Sequence, residues 1–196
     1  MGILAPPGTY TLTLTVEGTH YSRTVTVSND PRSAATAADL REQQALQLKI
    51  AAAIRVSYLA FQQVDGMRLK VDSIAPKDST APLAKVIKGW MAQMDSIGGT
   101  ASDERDFPFP NGRKPESDLF SLQGRFVDQL QAQEFGDMAP TEPALLEFAS
   151  GCRDLTIGIA RWRSLNAAPL AALNAELERA GVKAIAPAQG VAPPDC

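Results

Sequence analysis

Hydrophobic and polar residues alternate strictly at the start of this chain, and then the period changes. Tyr10, Leu12, Leu14 and Val16 are interleaved with Thr9, Thr11, Thr13 and Thr15. A second run sets Tyr21, Arg23, Val25 and Val27 against Ser22, Thr24 and Thr26. Period-two patterning rich in Thr, Val and Tyr predicts two strands with one face to be buried. Glu17-Gly18 supplies the turn of a hairpin, Pro6, Pro7 and Gly8 punctuate its entry, and Asn29-Asp30-Pro31 ends it. A lone hairpin is marginal in water and would leave its Tyr, Leu and Val side chains uncovered. No later segment repeats the alternation, so the rest of the sheet is not in this sequence.

From Thr36 onward the apolar residues recur at steps of three or four. Leu46, Ile50, Ile54, Tyr58, Phe61, Val64, Met67, Val71 and Ile74 predict a helix from about residue 37 to 75. Thr36 is its expected N-cap, with Asp39 as acidic partner, and Pro76 closes it. A second helix opens at Pro82, carries Leu83, Ile87, Trp90, Met94 and Ile97, and stops at Gly98-Gly99. Residues 100–114 mix Pro, Gly and charge and read as a loop, with Phe107 and Phe109 expected to pin it to the bundle. A third helix is expected over about 115–135 on Leu119, Leu122, Phe126 and Leu130. The fourth, capped by Thr141, has the cleanest pattern: Leu145, Phe148, Cys152, Leu155, Ile159 and Trp162. Its alternating steps suit near-parallel packing at roughly +20°. A fifth, shorter helix runs from Pro169 to Gly181, and the Pro-rich tail beyond it is expected to fray.

The fold class is therefore mainly α: an antiparallel bundle of about four long helices with an N-terminal β-hairpin. Residues 1–32 form the hairpin unit, 33–186 the bundle and 187–196 the tail. With 196 residues, 44% hydrophobic and 21% charged, the chain suits one sizeable domain plus an appendage. A net charge of −3 offers no footprint for nucleic acid. No apolar run of membrane-spanning length occurs, and "MGILAPPGTY" lacks the basic and apolar regions of a signal peptide.

Candidate chemistry is sparse. His20, the single histidine, falls beside the hairpin turn, poor ground for positioned catalysis. The one Glu-x-x-His, Glu17-Gly18-Thr19-His20, spans the hairpin turn and not a helix, so it is no di-metal bundle motif, and the glycines of "GILAPPG" and "SIGGTAS" lack a phosphate-loop Lys. Asp103, Glu104 and Asp106 lack the spacing of a calcium loop and read as a solvated segment. No cofactor is implied. Arg161 and Arg163 flank Trp162, but the heptad turns that indole inward. Gly124, Gly151 and Gly158 lie inside predicted helices, where each costs about 1 kcal/mol relative to Ala. They mark close helix approach or, alternatively, a pocket shared with Trp90 and Trp162 for a small molecule, sugar or peptide. Cys152 falls on the apolar stripe as a buried thiol, and Cys196 ends the tail exposed; nothing in their spacing requires or forbids a bridge.

The order of motifs carries a resemblance. "LAPPGTYTLTLTVEGTHYSRTVTVSNDPR" resembles the final strands of the Ig-like module, of flagellar-hook-scaffold type, in large bacterial proteins with sortilin-type BNR β-propellers. Those proteins are often labelled glycosyl hydrolases or sialidase-like. The shared pattern is matched by Pro7, Gly8, Tyr10, Leu12, Leu14, Val16 and Gly18, then by Asp30-Pro31-Arg32. "TAADLREQQALQLKI", "LQGRF", "GDMAPT" and "RWRSLNAAPLAALNAELERAGVKAI" resemble the helical region that follows there. The likeness is thin over about 76–118. It implies an extracytoplasmic parent, periplasmic or secreted, and a role as a structural or interaction module beside a propeller. Any active site of that family would lie in the propeller, which this chain lacks, so the expectation is no enzyme activity of its own. The implied partner is an upstream propeller or Ig-like domain, or a second copy through the hairpin edge. Tyr10, Leu12, Leu14 and Tyr21 are the surface expected to meet it, with Trp90 and Trp162 as further candidates.

Overall fold

The computed structural model describes residues 3, 5–99 and 118–196. Strands β1 (Gly8–Val16) and β2 (Thr19–Val27) pair antiparallel as a sheet of two strands. Five helices follow: α1 (Ala37–Ser73), α2 (Pro82–Gly98), α3 (Leu119–Ala132), α4 (Glu142–Leu165) and α5 (Ala168–Arg179). Their order matches the sequence pattern; α3 starts at Leu119 where the pattern expected about 115, of which 115–117 lie outside the described residues, and the other bounds agree within a few residues. The loop expected over 100–114, with Phe107, Phe109, Asp103, Glu104 and Asp106, lies outside the described residues.

Local chemistry sets the helix starts. The Thr36 backbone N–H donates to Asp39 Oδ2 at 2.7 Å, and the Asp39 N–H returns a bond to Thr36 Oγ1 at 3.2 Å. This reciprocal capping box satisfies two orphan donors and holds the Asp39 carboxyl below its ordinary value, chiefly through the Thr36 side chain. Asp118 Oδ1 accepts from the Ser121 N–H at 2.9 Å and starts α3, while Thr141 Oγ1 accepts from the Ala144 N–H and starts α4.

The buried spine of α1 differs from its apolar stripe. Ile50, Ala53, Ser57, Ala60, Val64, Met67 and Val71 are the buried line, while Tyr58 is 44% exposed and bonded to Gln62. Successive steps of four, from Ile50 to Ile54 to Tyr58, walk about 40° each off a straight helix face. Alanine and serine carry part of the packed face instead, in a helix that packs on α2, α3 and α4 and most extensively on α3. The Ser57 hydroxyl donates to the Ile54 carbonyl at 3.0 Å, so its burial leaves no polar group unpaired. Similarly, Leu145 is 48% exposed, and the α4 stripe begins at Phe148.

Two glycines serve close approach. A Cβ on Gly151 would lie 2.8 Å from Phe126 Cε1, and one on Gly98 would lie 2.7 Å from Val64 Cγ1. The Phe126 ring, 1% exposed, uses the notch at Gly151 and meets Phe148 edge-on at 6.2 Å between centroids. The core is otherwise filled by Met94, Leu122, Leu155, Ile159, Trp162, Leu173 and Leu177.

The tail corrects the expectation of fraying. The Asn174 side chain holds Ile185 by both backbone groups, accepting from its N–H at 2.8 Å and donating to its carbonyl at 2.9 Å. Asn166 grips Ala188 the same way, at 3.0 and 2.9 Å, and Arg163 Nη2 donates to the Val191 carbonyl at 2.7 Å. Val191 is buried. The tail thus runs back along α4 and ends in a Cys152–Cys196 disulfide, with Cα atoms 6.2 Å apart. Cys152 is buried and Cys196 exposed, as their positions suggested, but neither is a free thiol. Side-chain amides substitute here for the backbone partners that a proline-punctuated segment cannot find in a sheet or helix.

Candidate functional site

The register of the hairpin divides it into two chemically distinct faces. On one face Tyr10 stands opposite Val25, Leu12 opposite Arg23, Leu14 opposite Tyr21 and Val16 opposite Thr19. On the other, Thr9 faces Thr26, Thr11 faces Thr24, Thr13 faces Ser22 and Thr15 faces His20. The turn that fixes this register places Glu17 at φ 50° and Gly18 at φ 82°, both left-handed, matching the twist of the strands. Thr13 and Ser22 share a hydrogen bond of 3.2 Å, and Thr15 Oγ1 and His20 Nδ1 share one of 2.8 Å, so the hydroxyl face satisfies part of itself.

The apolar face is open. Leu12 is 59% exposed, Leu14 62%, Tyr21 59% and Val25 40%, and among the described residues neither strand packs against a helix. Only the base is anchored: the Tyr10 hydroxyl donates to the Pro6 carbonyl at 2.6 Å, and Pro6, Pro7 and Asn29 line a small crevice with Leu40, Gln43 and Gln47 of α1. Burying Leu12 and Leu14 would recover about 1.5–3 kcal/mol apiece. A contiguous apolar row on a projecting element marks an interaction surface. Of the six side chains singled out from the sequence, Tyr10, Leu12, Leu14 and Tyr21 share this face.

Trp90 and Trp162 do not belong to it. They are 4% and 1% exposed, so neither contributes to a surface. Trp162 Nε1 donates to Gln63 Oε1 at 3.1 Å, while the Trp90 indole N–H has no acceptor among the described residues. Arg161 and Arg163 turn away from the indole, to Ser96 Oγ and the Val191 carbonyl. With Phe126 occupying the notch at Gly151, the pocket suggested by the tryptophans and that glycine is packed core. The heptad on α4 announced the burial of Trp162.

Gly124 opens instead on a shallow cleft between α3 and α4, about 670 Å³, lined also by Arg125, Asp128, Gln129, Pro143 and Glu147. Its polar groups serve the bundle. Arg125 pairs with Glu147 and, at 2.8 Å, with Asp154; Gln129 Nε2 donates to the Ala144 carbonyl at 2.7 Å. The Arg125 hydrogen bond holds the Glu147 carboxyl below its ordinary value of 4.5. A depressed carboxylate pKa gives stability that is present above the unfolded value and lost as pH falls through the folded one. Because Glu147 is 48% exposed, screening limits the cluster to about 1 kcal/mol. Replacing Arg125 by Met should therefore lower stability by about that amount at neutral pH and by much less at pH ~3, in urea titrations at the two pH values. Equal losses at both would show that Arg125 acts through packing alone.

Among the described residues no group of three His, Cys, Asp or Glu side chains is placed to hold a metal ion. No described helix is long and apolar enough to cross a membrane. Comparisons with protein-family models, with curated proteins and with solved structures return no match.

Proposed function

We propose that this chain is a non-catalytic interaction module, in which a rigid helical bundle presents the hairpin to apolar β-structure of a larger extracytoplasmic protein. The observation that carries the reading is the exposed Leu12–Leu14–Val16 row on strands that, among the described residues, pack against no helix beyond the crevice at their base, beside a bundle whose own core is filled. Adding a strand to either edge would extend the sheet but leave that row in water. The partner must lie over the face, as the second layer of a β-sandwich does. An Ig-like module supplied by upstream sequence meets that requirement, in line with the resemblance of residues 5–32 to the closing strands of such a module. The bundle would then act as a stalk or dock beside a β-propeller, which in that family is where glycosyl hydrolase-type chemistry would reside.

The disulfide supports the location. Structural disulfides persist in oxidising compartments and are rare where glutathione keeps thiols reduced. A Cys152–Cys196 bond that joins a helix core to a docked tail suits a periplasmic or secreted parent.

The test is sedimentation velocity on the full chain and on one starting at Ser33. The full chain should associate reversibly with rising concentration, and the shortened chain should stay monomeric with an unchanged unfolding midpoint. Monomeric behaviour and equal solubility for both would overturn the reading.

A further inference from the structure

One residue on the open face does not fit an apolar cover. Arg23 stands directly opposite Leu12, with Tyr21 and Val25 beside it along β2, in the third and central of five rows counted from Gly8–Val27 at the hairpin base. Its side chain has no ion pair among the described residues. Glu17, the one carboxylate of the two strands and their turn, is at the tip, beyond two further rows and ~17 Å along the strand from Leu12, while Asp30, past the base, is paired with Arg32. An arginine at the middle of a face that is about to be covered would lose its water. A guanidinium buried without a counter-charge is strongly destabilising, whereas a carboxylate placed over it accepts two parallel hydrogen bonds.

We infer that the surface covering this face is an apolar β-sheet face bearing an Asp or Glu at its centre, aimed at Arg23. This rests on the interaction-module reading and specifies the partner's chemistry. A second copy of the chain is a poor occupant. In a two-fold face-to-face pairing the middle rows meet, bringing Arg23 against its own symmetry mate, and like charges at short range oppose the contact. Self-association through the hairpin is thus weak and appears only as concentration rises, and a partner of opposite central charge is selected over a second copy. Arginine suits this role better than lysine, since its planar fork is weakly hydrated and matches a carboxylate in two places.

The chain itself provides the probe. Sedimentation equilibrium would be run on full-length wild type, on Arg23→Glu, on Arg23→Leu, and on an equimolar mixture of wild type with Arg23→Glu. The mixture should associate about tenfold or more tightly than either component alone, and lose that advantage in high salt. Arg23→Leu should associate more tightly than wild type and show little salt dependence. If the mixture is no tighter than its components while hairpin-dependent association of wild type persists, the face needs no counter-charge and the inference is overturned, with the interaction-module reading intact. If no sample associates, Arg23→Leu included, both are overturned. An unchanged unfolding midpoint in every variant shows that the bundle is undisturbed.

Discussion

Reducing the Cys152–Cys196 bond should lower the unfolding free energy by about 4 kcal/mol. The bond spans a sequence separation of 44 residues, and opening a loop of that length restores conformational freedom to the unfolded chain. At this chain length such a loss corresponds to a fall in midpoint of roughly 8–16 °C. Urea unfolding of the oxidised chain, the reduced chain and a Cys152→Ala/Cys196→Ala variant would measure it, the double variant tracking the reduced form. Hydrogen exchange gives a local readout. The Ile185 and Ala188 amides donate to Asn174 and Asn166, so they should be protected in the oxidised chain and exchange faster once the tail is released. Identical midpoints and identical protection in oxidised and reduced chains would show that the two asparagines hold the tail without the bond.

Removing the Phe126 ring should be as damaging. Phe126→Ala is expected to cost about 4 kcal/mol, because the ring is fully buried where α3 meets α4 and its cavity would be lined by rigid helices. The stronger claim concerns its coupling to Gly151. Gly151→Ala alone gains about 1 kcal/mol of helix propensity but drives a methyl into the ring, an overpacking cost of about 1–3 kcal/mol. In the Phe126→Ala background the same substitution has room for its methyl and should be neutral or stabilising. A double-mutant cycle in thermal or urea unfolding measures this difference. Additive losses would mean that the glycine is not there to admit the ring.

Local and periodic features were legible along the chain. The hairpin register followed from strict alternation and a Glu-Gly turn; the helix starts followed from Thr36, Pro82 and Thr141. These depend on neighbours within four residues, which one sequence displays in full. The packed face of α1 was less legible, because burial there falls on Ala53, Ser57 and Ala60, whose side chains advertise little hydrophobicity. Only the helices packed around α1 single them out. Leu145 shows the converse: an apolar residue at stripe spacing stays 48% exposed although its neighbour Ala144 packs on the core.

The candidate surface divides along the same line. Tyr10, Leu12, Leu14 and Tyr21 could be grouped from alternation alone, since a strand places every second residue on one side whatever surrounds it. Whether the bundle folds back to cover them is a question of tertiary structure, and none of its described helices does. Of the two tryptophans, Trp162 was already turned inward by the α4 heptad, whereas Trp90 needed the packed core to be assigned to it.

By itself, then, the sequence determined the elements, their order, the two faces of the hairpin and the absence of any obvious catalytic motif. Tertiary structure alone decided that the tail is docked, that Cys152 and Cys196 pair, that Phe126 takes the space left at Gly151, and that the hairpin projects uncovered. The physical reason is range. Backbone geometry and capping are set by the nearest few residues, whereas a contact between positions such as 152 and 196 exists only once the helices between them have chosen their packing.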